Sequence, residues 1–190
     1  MNVLIACEFS GRVRDAFIQC GHNAVSCDLL PSESSVGEHI QGDVTQLDYS
    51  VYDMVIAHPP CTYLCRSGLR WIKERNLQEQ QQQAVDFFMF FTQLPVKYLA
   101  IENPIGIMST RFCKPTQIIQ PYMFKGCNES KATCLWLKGL PLLQPSSKYW
   151  KYKDVKTTVH YEPPSKDRWK NRSRTFQVIA DEMAKQWSVV

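Results

Sequence analysis

No two of the eight cysteines in this 190-residue chain (Cys7, Cys20, Cys27, Cys61, Cys65, Cys113, Cys127 and Cys134) are spaced Cys-x-x-Cys. Without that clip a structural zinc site is not expected, and no metal ligands are assigned. Long apolar runs are missing too. The most apolar helical candidate, Ala84 to Phe91, contains Asp86 and falls far below the ~20 residues of a membrane span. The N-terminal string MNVLIACEFSGRVRD has no positively charged start, and its apolar run breaks at Glu8, too soon for a signal-peptide core. A cytoplasmic location is the expectation, and in a reducing compartment most of the cysteines serve as small buried hydrophobes. Charge of one sign is scarce as well: 22 Lys and Arg against 18 Asp and Glu leave +4. That is compatible with a nucleic-acid partner but short of a dense basic stripe.

What is present is enough apolar residue, 44%, for one packed domain spanning residues 1–190. The first third alternates short apolar runs with helical or polar segments, the pattern of a mostly parallel sheet flanked by helices. Strands are expected at Val3–Cys7, Ala24–Cys27, His39–Gln41, Tyr52–Ala57, Tyr98–Ile101 and Thr133–Leu137. A helix with Val13, Ala16, Phe17 and Cys20 on one face follows the first strand. Leu69 to Leu94 reads as one long helix or a broken pair, Thr116 to Tyr122 as a short helix, and Arg174 to Trp187 as a C-terminal helix. Residues 141–167 read as irregular. Several strands deliver a polar or reactive residue at the C-terminal end, the edge where open α/β sheets bind ligands.

Two short strings, Pro59-Pro60-Cys61 and Glu102-Asn103-Pro104, each sit just past a predicted strand. With the elements before them they resemble the cytosine-C5 DNA methyltransferase family. The resemblance runs in order: Cys7-Glu8-Phe9-Ser10-Gly11 is similar to that family's first cofactor loop, Asp28 to the acid closing its second strand, and Asp43 to the acid after its third. His58-Pro59-Pro60-Cys61-Thr62 resembles the nucleophile loop and Glu102-Asn103-Pro104 the Glu-Asn loop. The resemblance implies a Rossmann-like S-adenosylmethionine-dependent methyltransferase fold in a compact, phage-like member, acting on DNA.

The chemistry of such a reaction suits these residue types. Carbon 5 of cytosine is a poor nucleophile, so a thiolate must first add at carbon 6, and Cys61 is the candidate. A thiol titrates near ~8.5 and needs help, which a proline-fixed loop at the start of a helix would give. Charge left on the ring must be met at N3 by a donor. Glu102 is that candidate, with burial beneath a base favouring its protonated form.

Cofactor binding follows from the same edge. A turn at Ser10-Gly11 before a helix offers backbone N–H groups to the methionine carboxylate of S-adenosylmethionine, Asp28 would accept from ribose hydroxyls, and Asp43 from the adenine amine; Phe9 and Pro59 complete the implied cofactor set. The loop departs from the family in having a single glycine, Gly11, followed by Arg12-Val13-Arg14.

The family's Gln-x-Arg-x-Arg string has two competing counterparts here. One is Glu129-Ser130-Lys131-Ala132-Thr133, which enters a strand, and the other is Asn171-Arg172-Ser173-Arg174, which precedes the last helix. Lys131, Thr133, Arg172 and Arg174, with Asn103, form the implied substrate set. Between them, residues 138–172 are too few for a standard target-recognition domain. Their composition, Lys148, Lys151, Lys153, Lys156, Lys166, Arg168 and Lys170 among Tyr149, Trp150, Tyr152, Tyr161 and Trp169, is that of a backbone-tracking, base-stacking surface or of a solvated charged loop. A protein partner supplying recognition, and an RNA or nucleotide substrate in place of DNA, stay open.

Four rivals are weighed. An amino-methyltransferase would explain His58-Pro59-Pro60-Cys61 as an Asp/Asn-Pro-Pro-aromatic loop, but Cys61 has no stacking face. A zinc deaminase reading of Pro60-Cys61, Cys65 and His160-Tyr161-Glu162 fails on order and spacing, and radical chemistry fails at Gly68. The fourth is a non-catalytic methyltransferase fold that binds nucleic acid or cofactor, of anti-restriction type.

Overall fold

The structure is a computed structural model that describes residues 1–146 and 154–189. Lys148, Tyr149, Trp150, Lys151, Tyr152 and Lys153 of the expected basic and aromatic surface lie outside the described residues.

The elements run β1 (Asn2–Ala6), α1 (Arg12–Gln19), β2 (Asn23–Asp28), β3 (His39–Gln41), β4 (Met54–Ala57), α2 (Leu69–Glu74) and α3 (Gln78–Thr92). Then come β5 (Tyr98–Pro104), α4 (Met108–Arg111), β6 (Gln117–Ile119), β7 (Thr133–Lys138), α5 (Arg168–Ser173) and α6 (Gln177–Trp187). They form an α/β fold around a seven-stranded sheet of order β3-β2-β1-β4-β5-β7-β6. Pairings among β3, β2, β1, β4 and β5 are parallel, and β7 runs antiparallel to both of its neighbours. This is the open, doubly wound Rossmann-like arrangement, with one reversed strand inserted near the edge.

The central strands are apolar on both faces because helices cover both. Val3 and Ile5 of β1 point to one side, where Val13 and Phe17 of α1 meet Ile179, Met183 and Trp187 of α6. Leu4 and Ala6 point to the other, where Val85, Phe88 and Phe91 of α3 pack with Trp136. The aromatic stripe of α3 is thus core. Packing of α6 on α1 brings the two ends of the chain together, and the Arg12 guanidinium donates to the Thr175 carbonyl at 2.8 Å.

Three expectations change, and one left open is decided. Gln117–Ile119 is a strand rather than part of a helix. Ile119 is buried and Ile118 exposed, a period of two, and Pro121, lacking an N–H, opens a 3-10 turn directly after it. Of the two forms expected for Leu69–Leu94, the stretch takes the broken pair, parted where Asn76 has a left-handed φ of 54°. The C-terminal helix starts at Gln177, with extended backbone at Arg174 separating it from the short α5. Finally, β5 runs on through Pro104, so Glu102 and Asn103 lie within the strand, paired with Leu135 and Cys134 of β7.

Candidate active site

Beyond β1 the chain turns sharply. Cys7 has a φ of 59°, and the N–H groups of Cys7 and Glu8 both donate to the Cys27 carbonyl, at 2.8 and 3.2 Å. The turn aims the Glu8 side chain back at α1. Its carboxylate accepts from the N–H of Val13 at 2.7 Å, the N–H of Arg14 at 3.2 Å and the Ser10 hydroxyl at 3.2 Å. An acid here satisfies orphan donors and complements the helix dipole. The protein's own Glu8 thus takes the Val13 and Arg14 N–H groups at the helix end where a methionine carboxylate is expected. Gly11, at φ 73°, is the left-handed residue that admits the helix.

The ends of β2 and β3 carry acids. Asp28 accepts from the Leu30 N–H at 2.9 Å, and burial holds its pKa above the usual carboxylate value despite the charges of His39 and His58. Asp43 caps a 3-10 turn, its Oδ1 accepting from the N–H and hydroxyl of Thr45, both at 2.9 Å. Their negative field reaches the next strand: burial, then the charges of Asp28, Cys27 and Asp43, pushes the Cys7 thiol far up.

One cavity of about 100 Å³ opens at the C-terminal ends of β1, β4 and β5. Four segments line it: Cys7 to Ser10, His58 to Cys61, Glu102 to Pro104, and Arg172 to Thr175, together with Lys131. Of the residues singled out from sequence, Phe9, Ser10, Pro59, Cys61, Glu102, Asn103, Lys131, Arg172 and Arg174 meet there. Gly11, Asp28, Asp43 and Thr133 are not part of its lining; Thr133 borders a smaller cavity behind Glu102 and Lys131. Both competing basic strings thus reach the same space. Lys131 arrives because antiparallel β7 starts opposite Pro104, and its ammonium donates to the Arg174 carbonyl at 3.1 Å. Arg174 itself grips Glu33, Nε to Oε2 at 2.7 Å, while Phe9 sits with Trp169 at 6.2 Å between ring centres.

The Glu102 and Cys61 segments are fastened together. Asn103, expected as a substrate contact, donates its amide to the Pro59 carbonyl at 2.7 Å in a buried bond. His58 Nδ1 lies 3.0 Å from Glu102 Oε2, with both side chains about nine-tenths covered. The buried His58 Nε2 has no partner among the described residues. Burial alone would raise the Glu102 pKa, but the His58 hydrogen bond, then the charges of His58 and Lys131, hold it below the usual carboxylate value. Without a base above it, Glu102 is thus held toward its ionised form; the sequence expectation of a protonated acid applies to the moment of attack beneath a base.

Cys61 is also paired. The neighbouring Cys65 thiol, together with burial, raises it strongly. Cys65 is pulled down by its Cys61 neighbour, the Ser67 hydroxyl, the Gly68 N–H and the Arg172 charge, against its own burial. The two thiols titrate as a pair, and the Cys65 side is the more acidic. Sequence reasoning left His58, Cys65 and Glu8 without a role. The available signals were His58 beside the Pro-Pro at a strand end, Cys65 one helical turn after Cys61, and an acid just ahead of a helix start.

No described helix is long and apolar enough to cross a membrane, and among the described residues no group of three His, Cys, Asp or Glu could hold a metal. No protein-family model matches the sequence, and no curated protein sequence matches it. Among solved structures the chain is similar to a candidate DNA modification methyltransferase encoded within an E. coli prophage, at 15% identity and a TM-score of 0.49 over 86% of this chain and 55% of that one. It is also similar to a mutant of Spodoptera frugiperda DNMT2, at 15% identity and a TM-score of 0.42 over 77% of this chain and 53% of that one. The chain spans about half the length of the solved structures it matches.

Proposed function

We propose that this chain is an S-adenosylmethionine-dependent methyltransferase that modifies carbon 5 of cytosine in DNA through a covalent Cys61 adduct. The observation that carries the reading is one cavity in which a thiol, a buried carboxyl and three cationic side chains converge at the sheet edge. Cys61 forms the bond to carbon 6 as its proton passes to the Cys65 sulfur one turn away. Electron density then moves onto the ring toward N3. Glu102 meets it there, taking up a proton once the base covers the cavity and burial outweighs the contact with His58. Lys131, Arg172 and Arg174 supply the positive charge a phosphate backbone requires.

The fit to the cofactor is divided. Asp28 and Asp43, with their negative field, suit the ribose, the adenine amine and a cationic sulfur. The end of α1 suits an ammonium beside Glu8 rather than a carboxylate. When bound, S-adenosylmethionine supplies an electrophilic methyl group. The filled helix end is also what favours a second reading, a fold of this type that binds nucleic acid without methyl transfer.

Trapping separates the two. Incubation with S-adenosylmethionine and a 5-fluorocytosine oligonucleotide is expected to give a denaturation-resistant adduct, absent in Cys61→Ser. No adduct from the wild type, on duplex or single-stranded DNA or on RNA, removes the C5 reading, and an adduct that survives Cys61→Ser removes the nucleophile.

A further inference from the structure

Cys61 and Cys65 stand at the two ends of a single turn. The Cys65 N–H donates to the Cys61 carbonyl at 2.9 Å, and the Leu64 N–H to the same oxygen at 3.0 Å. A helical turn separates such Cα atoms by roughly 6 Å and puts both side chains on one face, inside the roughly 4.4–6.8 Å span of disulfides. The turn is held from outside as well. Ile107 N–H donates to Leu64 at 2.9 Å, Arg66 N–H to Ile105 at 3.0 Å, and Cys65 bridges to Gly106. Both cysteines are free and only partly covered, and the Ser67 hydroxyl lies 3.3 Å from the Cys65 sulfur.

From this geometry we infer that Cys61 and Cys65 are a peroxide-reactive pair that closes to a reversible disulfide. The Cys65 thiolate attacks one oxygen of hydrogen peroxide, breaking the O–O bond to give a sulfenic acid, and the departing hydroxide takes a proton to become water. Cys61 sulfur then attacks the sulfenic sulfur, the S–O bond breaks, and the leaving hydroxide takes the Cys61 proton. Two thiols and one peroxide become one disulfide and two waters. The low-lying thiolate of Cys65 starts the sequence. Cys7 and Cys27 also sit side by side on neighbouring strands, but burial and the charges of Asp28 and Asp43 raise both thiols, so they stay reduced under the same exposure. The bridge itself is independent of the proposed function; that it silences the site rests on that reading.

The test is a peptide map of the purified full chain after brief treatment with stoichiometric hydrogen peroxide. Two of the eight thiols are expected to be lost, with the cross-link between the Cys61 and Cys65 peptides, and dithiothreitol restores both. In Cys61→Ser, dimedone should label Cys65 at least about tenfold faster than the exposed Cys20. A wild-type map with Cys65 over-oxidised and unbridged, or with the bridge elsewhere and this pair still alkylatable, overturns the proposal. The same samples are offered the fluorinated oligonucleotide. Adduct from reduced but not bridged protein supports the silencing. No adduct from reduced protein removes the methyltransferase reading and leaves the bridge standing, and adduct from bridged protein removes Cys61 as nucleophile.

Discussion

The Asn103 amide donates to the Pro59 carbonyl at 2.7 Å, joining the strand that carries Glu102 to the loop that carries Cys61. Asn103→Ala leaves that carbonyl without its partner and should cost about 1–3 kcal/mol in urea unfolding. It should also slow adduct formation while the Glu102 titration stays where it is. An unchanged unfolding midpoint would show that the bond does not hold the two segments.

His58 sets the ionisation of Glu102. The carboxyl carbon of Glu102 should titrate below the ordinary value of about 4.3 in the wild type, higher in His58→Asn, which keeps a donor without the charge, and above it in His58→Leu, where burial acts alone. A depressed acid contributes stability that is present above its unfolded pKa and lost as pH falls through its folded one. In His58→Leu the sign reverses, and the buried acid destabilises at neutral pH but not once protonated. The gap in urea midpoint between the two proteins should therefore narrow on acidification, and a gap that widens contradicts the assignment.

Glu102→Gln keeps the shape and removes the titratable proton. Turnover should fall about 10²- to 10⁴-fold, with cofactor affinity little altered. Comparable losses in both would count against a role at N3.

Much of this was legible beforehand. β1, β2 and β4 announce themselves as apolar runs because both faces of a central parallel strand are covered, and α6 shows its buried stripe of Ile179, Met183 and Trp187. The convergence of Lys131 with Arg172 was not legible. It depends on β7 reversing beside β5 and on α6 folding back to α1, pairings between residues far apart in the chain. Glu8 misled for a related reason. A carboxylate ahead of a helix reads as part of a ligand loop until its three donors are seen, and β6 was hidden because three residues are too few to reveal a period of two.

Gly106 marks a close approach. A Cβ there would lie 2.1 Å from the Leu64 carbonyl oxygen, backbone against backbone, so Gly106→Ala should force the two-cysteine turn away at a cost of about 3 kcal/mol. Gly42→Ala, where the nearest atom is 3.9 Å away, should stay within about 0.5 kcal/mol. Equal unfolding midpoints for the two variants would refute the contact.

Arg172 reaches the cavity without an ion pair among the described residues. If it meets a phosphate, Arg172→Ala lowers the slope of log affinity against log salt by about 0.9 on duplex DNA. An unchanged slope assigns it to the base or to neither.

The hydrogen bond from Arg12 to Thr175 and the seating of Trp187 against the first helix have a consequence for synthesis. The wall formed by Arg172 to Thr175 is anchored by α1, through Arg12, 163 residues before Thr175. That wall can close only once α6 has been made and docked, so a growing chain without α6 would leave Cys61 and Glu102 in an open groove. Until the final helix docks, the exposed face of β1 and α1 is the stretch a chaperone would be expected to hold.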